Sequence, residues 1–143
     1  LVANKEKAAG FSSLADFNTP DVVLSARSGG SAKAAIEAHM PKAKVRYFDE
    51  EAQAIQEVLT GRAHAFVSSA PLPAFQAAKH PDRLFRPLAE TFTKEPVAFA
   101  LRKGDAASLR ELNVWIEKAH ADGWLKERKR YWFEGTDWES LLK

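Results

Sequence analysis

The sequence contains no cysteine. Disulfides, thiolate catalysis and Cys-ligated metals are therefore excluded. No apolar run approaches the ~20 residues of a membrane-spanning helix. Charge of one sign is also scarce. Lys and Arg number 21 and Asp and Glu 19, leaving a net charge of +2 and a pI of about 8.9. That mild surplus demands no nucleic-acid partner. Neither a GxxxxGK(S/T) nor a GxGxxG pattern occurs, and His39, His64, His80 and His120 form no i, i+4 pair. No cofactor and no metal site are expected. What remains is an ordinary globular composition, 45% hydrophobic and 28% charged over 143 residues, enough for a real core. The chain opens on Leu1 rather than Met, so an upstream segment is expected. Leu1-Val2-Ala3-Asn4-Lys5 is too short an apolar start for a signal peptide.

The most informative stretch is Arg27-Ser28-Gly29-Gly30-Ser31. It follows an apolar run, Asp21 to Ala26, that reads as a buried strand. It precedes Ala32 to Met40, a helix-forming run stopped by Pro41. A strand, a glycine turn and a helix start leave several backbone N–H groups aimed at one point. The helix dipole adds positive potential there, which suits a carboxylate or a phosphate. The plainer reading is a tight turn with Ser31 as N-cap.

Further along, Ser12 or Ser13 caps a one-turn helix that Asn18-Thr19-Pro20 breaks. Val45 to Phe48 is a second strand. Asp49 caps a helix from about Glu50 to Leu59, with Ala52, Ile55, Val58 and Leu59 on its apolar stripe and Gly61 at its end. Ala63 to Ser68 is a third strand. Pro71-Leu72-Pro73 opens a helix to about Lys79, and Leu84 to Leu88 is extended. Residues 21 to 67 thus read strand–helix–strand–helix–strand, an α/β pattern with right-handed crossovers and a parallel-rich sheet flanked by helices. Ligands in such sheets bind beyond the carboxyl ends of the strands. Arg27–Ser31 and Ser68-Ser69-Ala70-Pro71 both lie at such ends. Val97 to Leu101 reads as a fully apolar strand. A long helix covers about Ala106 to Ala121, and another Leu125 to Trp132. Trp138, Leu141 and Leu142 form an apolar tail.

Several segments together resemble a family. Leu59-Thr60-Gly61-Arg62-Ala63-His64-Ala65 is similar to the "L-x-G-R-x-D-A" segment of bacterial extracytoplasmic solute-binding proteins of the amino-acid ABC importer type. Ala100 to Asp105 resembles the return strand and "R-K-G-D" turn of that family. Leu109 to Asn113 with Trp115, and Ala121-Asp122-Gly123, resemble its "L…L-N-x-W…D-G". Tyr131-Trp132-Phe133 resembles its closing aromatic cluster. The resemblance implies a periplasmic-binding-protein-like clamshell in which residues 13–93 form the second, ligand-binding lobe. Residues 1–12 and 94–143 would be hinge strands and C-terminal helices of an incomplete first lobe. About 100 residues of that lobe would lie outside this chain. Hinge closure would use Ala3–Lys7 and Thr93–Pro96.

The resemblance also implies a site. Gly29, Gly30 and Ser31 would hold a ligand carboxylate, with Ser28 and Arg27 in the same turn, although Arg27 is as readily solvated. Amino-acid binders of this family usually carry an Asp where this chain has Ser69. A serine cannot supply that charge to a ligand ammonium, which favours a carboxylate without an amino group. The family's earlier Asp is replaced by His64, read here as a structural histidine. The implied function is binding a small anionic or amino-acid-like solute in the periplasm or another extracytoplasmic space and delivering it to a membrane permease. The alternatives are a ligand-sensing receptor domain and a dehydratase of cyclic carboxylates on the same fold. For the latter, no acid–base constellation is seen: the four histidines are scattered, and Glu50 and Glu51 suit a helix start anyway. The run Lys126 to Arg130 beside Tyr131-Trp132 reads as a solvated helix face rather than a nucleic-acid patch. If this chain stands alone, the apolar faces at Val97–Leu101, Leu112, Trp115 and Trp132 lack a partner. A homodimer or an exchange of the C-terminal helices would follow.

Overall fold

A computed structural model describes residues 1–133, 135, 138 and 141. Two compact units result, Leu1–Thr93 and Lys94–Lys143.

The first unit holds strands β1 (Val2–Asn4), β2 (Val23–Arg27), β3 (Lys44–Phe48), β4 (Ala65–Val67) and β5 (Leu84–Phe85). Between them run helices α1 (Leu14–Phe17), α2 (Ser31–His39), α3 (Glu51–Leu59) and α4 (Leu72–Lys79). The sheet order is β3-β2-β4-β1-β5. β2 is parallel to both β3 and β4, and β1 is antiparallel to β4 and β5. The α/β class with a parallel-rich sheet flanked by helices is therefore the observed one.

Strand alternation sorts the core into two faces. Leu24, Ala26, Ala65, Val67 and Ala3 pack on one side with Ile36 and Met40 from α2 and its end, and with Phe17 of α1. Val2 and Phe66 pack on the other with Ala54 and Val58 of α3 and with Leu84. Ser25 points to that second face, where its hydroxyl donates to the Ala54 carbonyl at 2.8 Å. α2 and α3 thus lie on opposite faces of the sheet. The chain leaves β2 toward β3 over one face and returns past β2 to β4 over the other.

Local departures from the expected boundaries have local causes. β2 begins at Val23 rather than Asp21, because the Val22 N–H closes a turn onto the Thr19 carbonyl at 3.2 Å. Glu50, not Asp49, is the N-cap of α3, with extended backbone at φ −112°. Ala52 is exposed and Ala54 buried in its place. α3 is therefore turned so that Ala54 and Val58, four residues apart, meet the sheet. Gly30, not Ser31, is the N-cap of α2. Ala3 and Asn4 belong to β1, whose partners on both sides bury them. Asn4 also ties off α3, its Nδ2 donating to the Val58 carbonyl at 2.8 Å while its Oδ1 accepts from the N–H groups of Glu6 and Lys7.

Glu57 is the buried charge of this unit. Its carboxylate accepts from Arg46 of β3 and from Arg62 beyond α3, each at 2.7 Å. Burial alone would raise its pKa, but the two guanidiniums outweigh that and hold it below the usual range.

The second unit contains α5 (Ala106–Ala121) and α6 (Trp124–Phe133). Asp105 caps α5 by accepting from the Ser108 N–H at 3.1 Å. Phe99 meets Trp115 edge-on at 6.5 Å between ring centres, and Trp115 meets Trp124 at 5.6 Å. Val97–Leu101 is not a strand. Val97 is 97% and Phe99 63% exposed, and every described strand lies in the first unit. An apolar run of this kind becomes a buried strand only when neighbours satisfy both of its edges. Of the expected tail, Trp138 sits 5.5 Å from Trp132 between ring centres, Leu141 is exposed, and Leu142 lies outside the described residues.

Candidate functional site

The strand order changes direction between β2 and β4. Their adjacent carboxyl ends open a crevice between the chain segments that peel off to opposite faces, the place where α/β sheets bind ligands. β1 is antiparallel to β4 and β5, so the chain also joins β1 and leaves β5 at this same end.

Four of the expected residues make the turn beyond β2. Gly29 has φ +70°, a left-handed conformation that a side chain would strain. Gly30 then caps α2 with extended backbone. The N–H groups of Gly30, Ser31 and Ala32 have no acceptor among the described residues, while that of Lys33 turns back onto the Gly30 carbonyl at 3.3 Å. Three donors at a helix N-terminus are thus left facing outward. Ser28 is different, because its N–H is spent on the Phe48 carbonyl at 2.7 Å. Arg27 Nε donates to the Asp49 carbonyl at 3.3 Å, linking the ends of β2 and β3 at an exposed rim.

Tertiary structure brings Ser69 to this turn. Its Oγ lies 3.4 Å from Ser31 Oγ, with either hydroxyl able to donate. Ser68, the residue before it, faces the other way. Its hydroxyl donates to Glu51 Oε1 at 2.9 Å, at the first residue of α3. The crevice therefore has a hydroxyl pair on the α2 side and a serine–carboxylate pair on the α3 side. Sequence reasoning placed Ser68 at a strand end and read Glu51 as a helix-start residue, but did not pair them. The available signal was the period of two in an extended chain: if Ser69 faces α2, Ser68 must face α3.

His64 lies at the other end of β4, away from the crevice. Its Nδ1 accepts from the Val23 N–H at 3.1 Å, and its ring stacks on Phe11 with centres 6.5 Å apart and planes 12° apart. Burial, and then the Lys7 charge, hold its pKa below the ordinary value. These contacts fit the structural reading of this histidine. A polar hollow of about 340 Å³ lined by Asn4, Glu6, Thr60, Gly61 and Arg83 also opens at that end. Among the described residues no group of three or more His, Asp or Glu is placed to hold a metal ion. No described helix is long and apolar enough to cross a membrane.

No protein-family model matches the chain. Among solved structures, it superposes on the putative binding component of an ABC transporter from Wolinella succinogenes complexed with lysine. The TM-score is 0.84 at 34% identity, covering 97% of this chain and 60% of that one. It also superposes on an ancestral amino-acid-binding protein described as a precursor of cyclohexadienyl dehydratase, with TM-score 0.73 and 34% identity over 92% of this chain and 55% of that one. A cyclohexadienyl dehydratase of Pseudomonas aeruginosa is 25% identical over 128 residues, 87% of this chain and 46% of that protein. The chain thus has the fold of the solute-binding proteins that serve amino-acid ABC importers, as the resemblance implied. It spans about half the length of these relatives. Most of the similar proteins are binders, and at least one relative is an enzyme.

Proposed function

We propose that this chain forms one wall of a solute-binding cleft, with a ligand carboxylate held on the N–H groups of Gly30, Ser31 and Ala32 and on the Ser31 and Ser69 hydroxyls. The observation that carries this reading is the arrangement at the β2/β4 crevice, where three outward backbone donors stand beside two touching hydroxyls. Backbone N–H groups at a helix start bind carboxylates without the desolvation cost of burying a cation. Residues 13–93 would act as the ligand lobe, with 1–12 and 94–143 as hinge strands and part of a second one. The loaded protein would act outside the cytoplasmic membrane and hand its solute, amino-acid-like or simply anionic, to the permease of an ABC importer. The two similar ABC-type and amino-acid-binding structures support that reading.

The test is a titration of the isotopically labelled chain with L-lysine, followed by backbone NMR shifts. Shifts concentrated at residues 29–32 and 68–69 are expected. Shifts confined to other parts of the chain, or none up to millimolar ligand, would overturn the assignment. A dehydratase reading is favoured by the P. aeruginosa relative. Turnover of a cyclohexadienyl carboxylate by the purified protein would decide for it.

A further inference from the structure

Glu51 and Glu57 share one helix and differ in what surrounds them. Glu57 is almost fully buried, and two arginines neutralise it. Glu51 is half-buried, its one hydrogen-bond partner is the neutral Ser68 hydroxyl, and no Lys or Arg among the described residues lies within ion-pair distance. The N-terminus of α3 supplies partial positive potential but not a countercharge. A partly buried carboxylate held by a serine, with no cation of its own among the described residues, is placed to receive one. It stands at the crevice, on the α3 side, while the carboxylate-binding turn stands on the α2 side. The position that would face the ligand from β4, Ser69, carries no charge.

We propose that Glu51, held by Ser68, is the specificity-determining group that pairs with a cationic nitrogen of the solute, an ammonium or a guanidinium. This inference rests on the binding site proposed above. It replaces a carboxylate-only ligand with a zwitterionic or cationic one: carboxylate on the glycine turn, cation on Glu51. Ser68 is a positioning residue, since its hydroxyl orients the carboxylate without reaching the solute.

The probes are L-lysine and hexanoate, which share a six-carbon chain and a carboxylate but differ in the two nitrogens. Dissociation constants come from NMR titration of the whole chain and of Glu51→Gln and Ser68→Ala. The expected result is a preference for lysine of about tenfold or more, the worth of one charge-assisted pair. Glu51→Gln should weaken lysine and bring the two ligands within about threefold of each other, and Ser68→Ala should narrow the gap in part. Spectral dispersion checks that each variant folds. If Glu51→Gln were to unfold, the Ser68→Ala ratio alone would carry the test. A lysine preference that survives both variants would place the cation elsewhere and overturn the inference. Equal affinities in the unaltered chain would overturn it while leaving the carboxylate site standing. No shift at residues 29–32 with either ligand would overturn the site and the inference together.

Discussion

Ser31 and Ser69 stand 38 positions apart in the chain and 3.4 Å apart in space, hydroxyl to hydroxyl. The contact joins the first residue of α2 to the segment leaving β4, and it marks the end of the sheet where the two crossovers diverge. Removing it should weaken binding more than folding, since both side chains are exposed. Ser31→Ala with Ser69→Ala is expected to lower carboxylate affinity by about 1–3 kcal/mol, the worth of one or two hydrogen bonds. Thermal unfolding of the double variant should stay close to that of the parent. Unaltered affinity in the NMR titration would remove both hydroxyls from the site.

The two glycines of the turn should separate conformation from access. Gly29 has φ +70° and open space where a Cβ would go. Gly29→Ala should therefore cost about 1–2 kcal/mol through backbone strain alone. Gly30 has ordinary φ and equally open space. Gly30→Ala should cost less, only the difference between glycine and alanine at an N-cap, while its methyl group crowds the N–H groups and weakens binding. Urea unfolding of both variants checks the contrast. Equal stability losses would show that strain is not what selects glycine at position 29.

Glu57 should behave as a structural carboxylate. Its folded pKa is depressed, so its contribution is present above the unfolded value, ordinarily about 4.3, and is lost as pH falls through the lower folded value. Glu57→Gln should destabilise the first unit by about 2 kcal/mol at neutral pH, because charged hydrogen bonds to Arg46 and Arg62 are replaced by weaker ones. The difference between parent and variant should shrink in denaturant melts as the pH is lowered into the acid range. A difference independent of pH would mean that Glu57 acts by packing rather than by charge.

His64 should show the same sign at a pH closer to neutral. Its folded pKa lies below the ordinary value of about 6.5. The stability tied to its neutral ring is therefore complete above that value and declines as pH falls toward the folded pKa. Protonation at Nδ1 takes away the acceptor for the Val23 N–H. A proton-detected titration should give a His64 midpoint below 6.5, with the Val23 amide moving in step. A midpoint above 6.5 would contradict burial as the dominant influence.

The second unit exposes Val97, Phe99, Leu109, Trp115, Trp124 and Trp132. Apolar surface gathered in this way drives association. Light scattering of the purified chain should show a mass that rises with concentration. Trp115→Lys, which charges a ring that both Phe99 and Trp124 touch, should lower the apparent mass at a given concentration. A monomer at all concentrations would show that this surface needs no cover.

The sequence by itself determined the elements of the first unit and the chemistry of one side of the site. Each helix announced itself through local signals: Gly29-Gly30 before α2, Pro41 after it, Gly61 after α3, and Asp105 ahead of α5. The α5 range Ala106–Ala121 was legible to the residue, since a cap and an uninterrupted helix-forming run are both local. Strands β2, β3 and β4 followed from apolar runs between such signals.

Tertiary structure alone decided what depends on neighbours. Tertiary structure settled β1, because three residues become a strand only when β4 and β5 complete their hydrogen bonds on both sides. Val97–Leu101 carries the stronger strand pattern and is not one among the described residues, for the same reason in reverse. The pairings of Ser31 with Ser69 and of Ser68 with Glu51 were equally hidden. They need the sheet order, which brings the ends of β2 and β4 together, and the two crossovers, which place α2 and α3 on opposite faces. Local sequence sets which backbone groups can bind an anion. Only the packing of distant segments sets which side chains stand around it, because that packing is fixed by burial summed over the whole core.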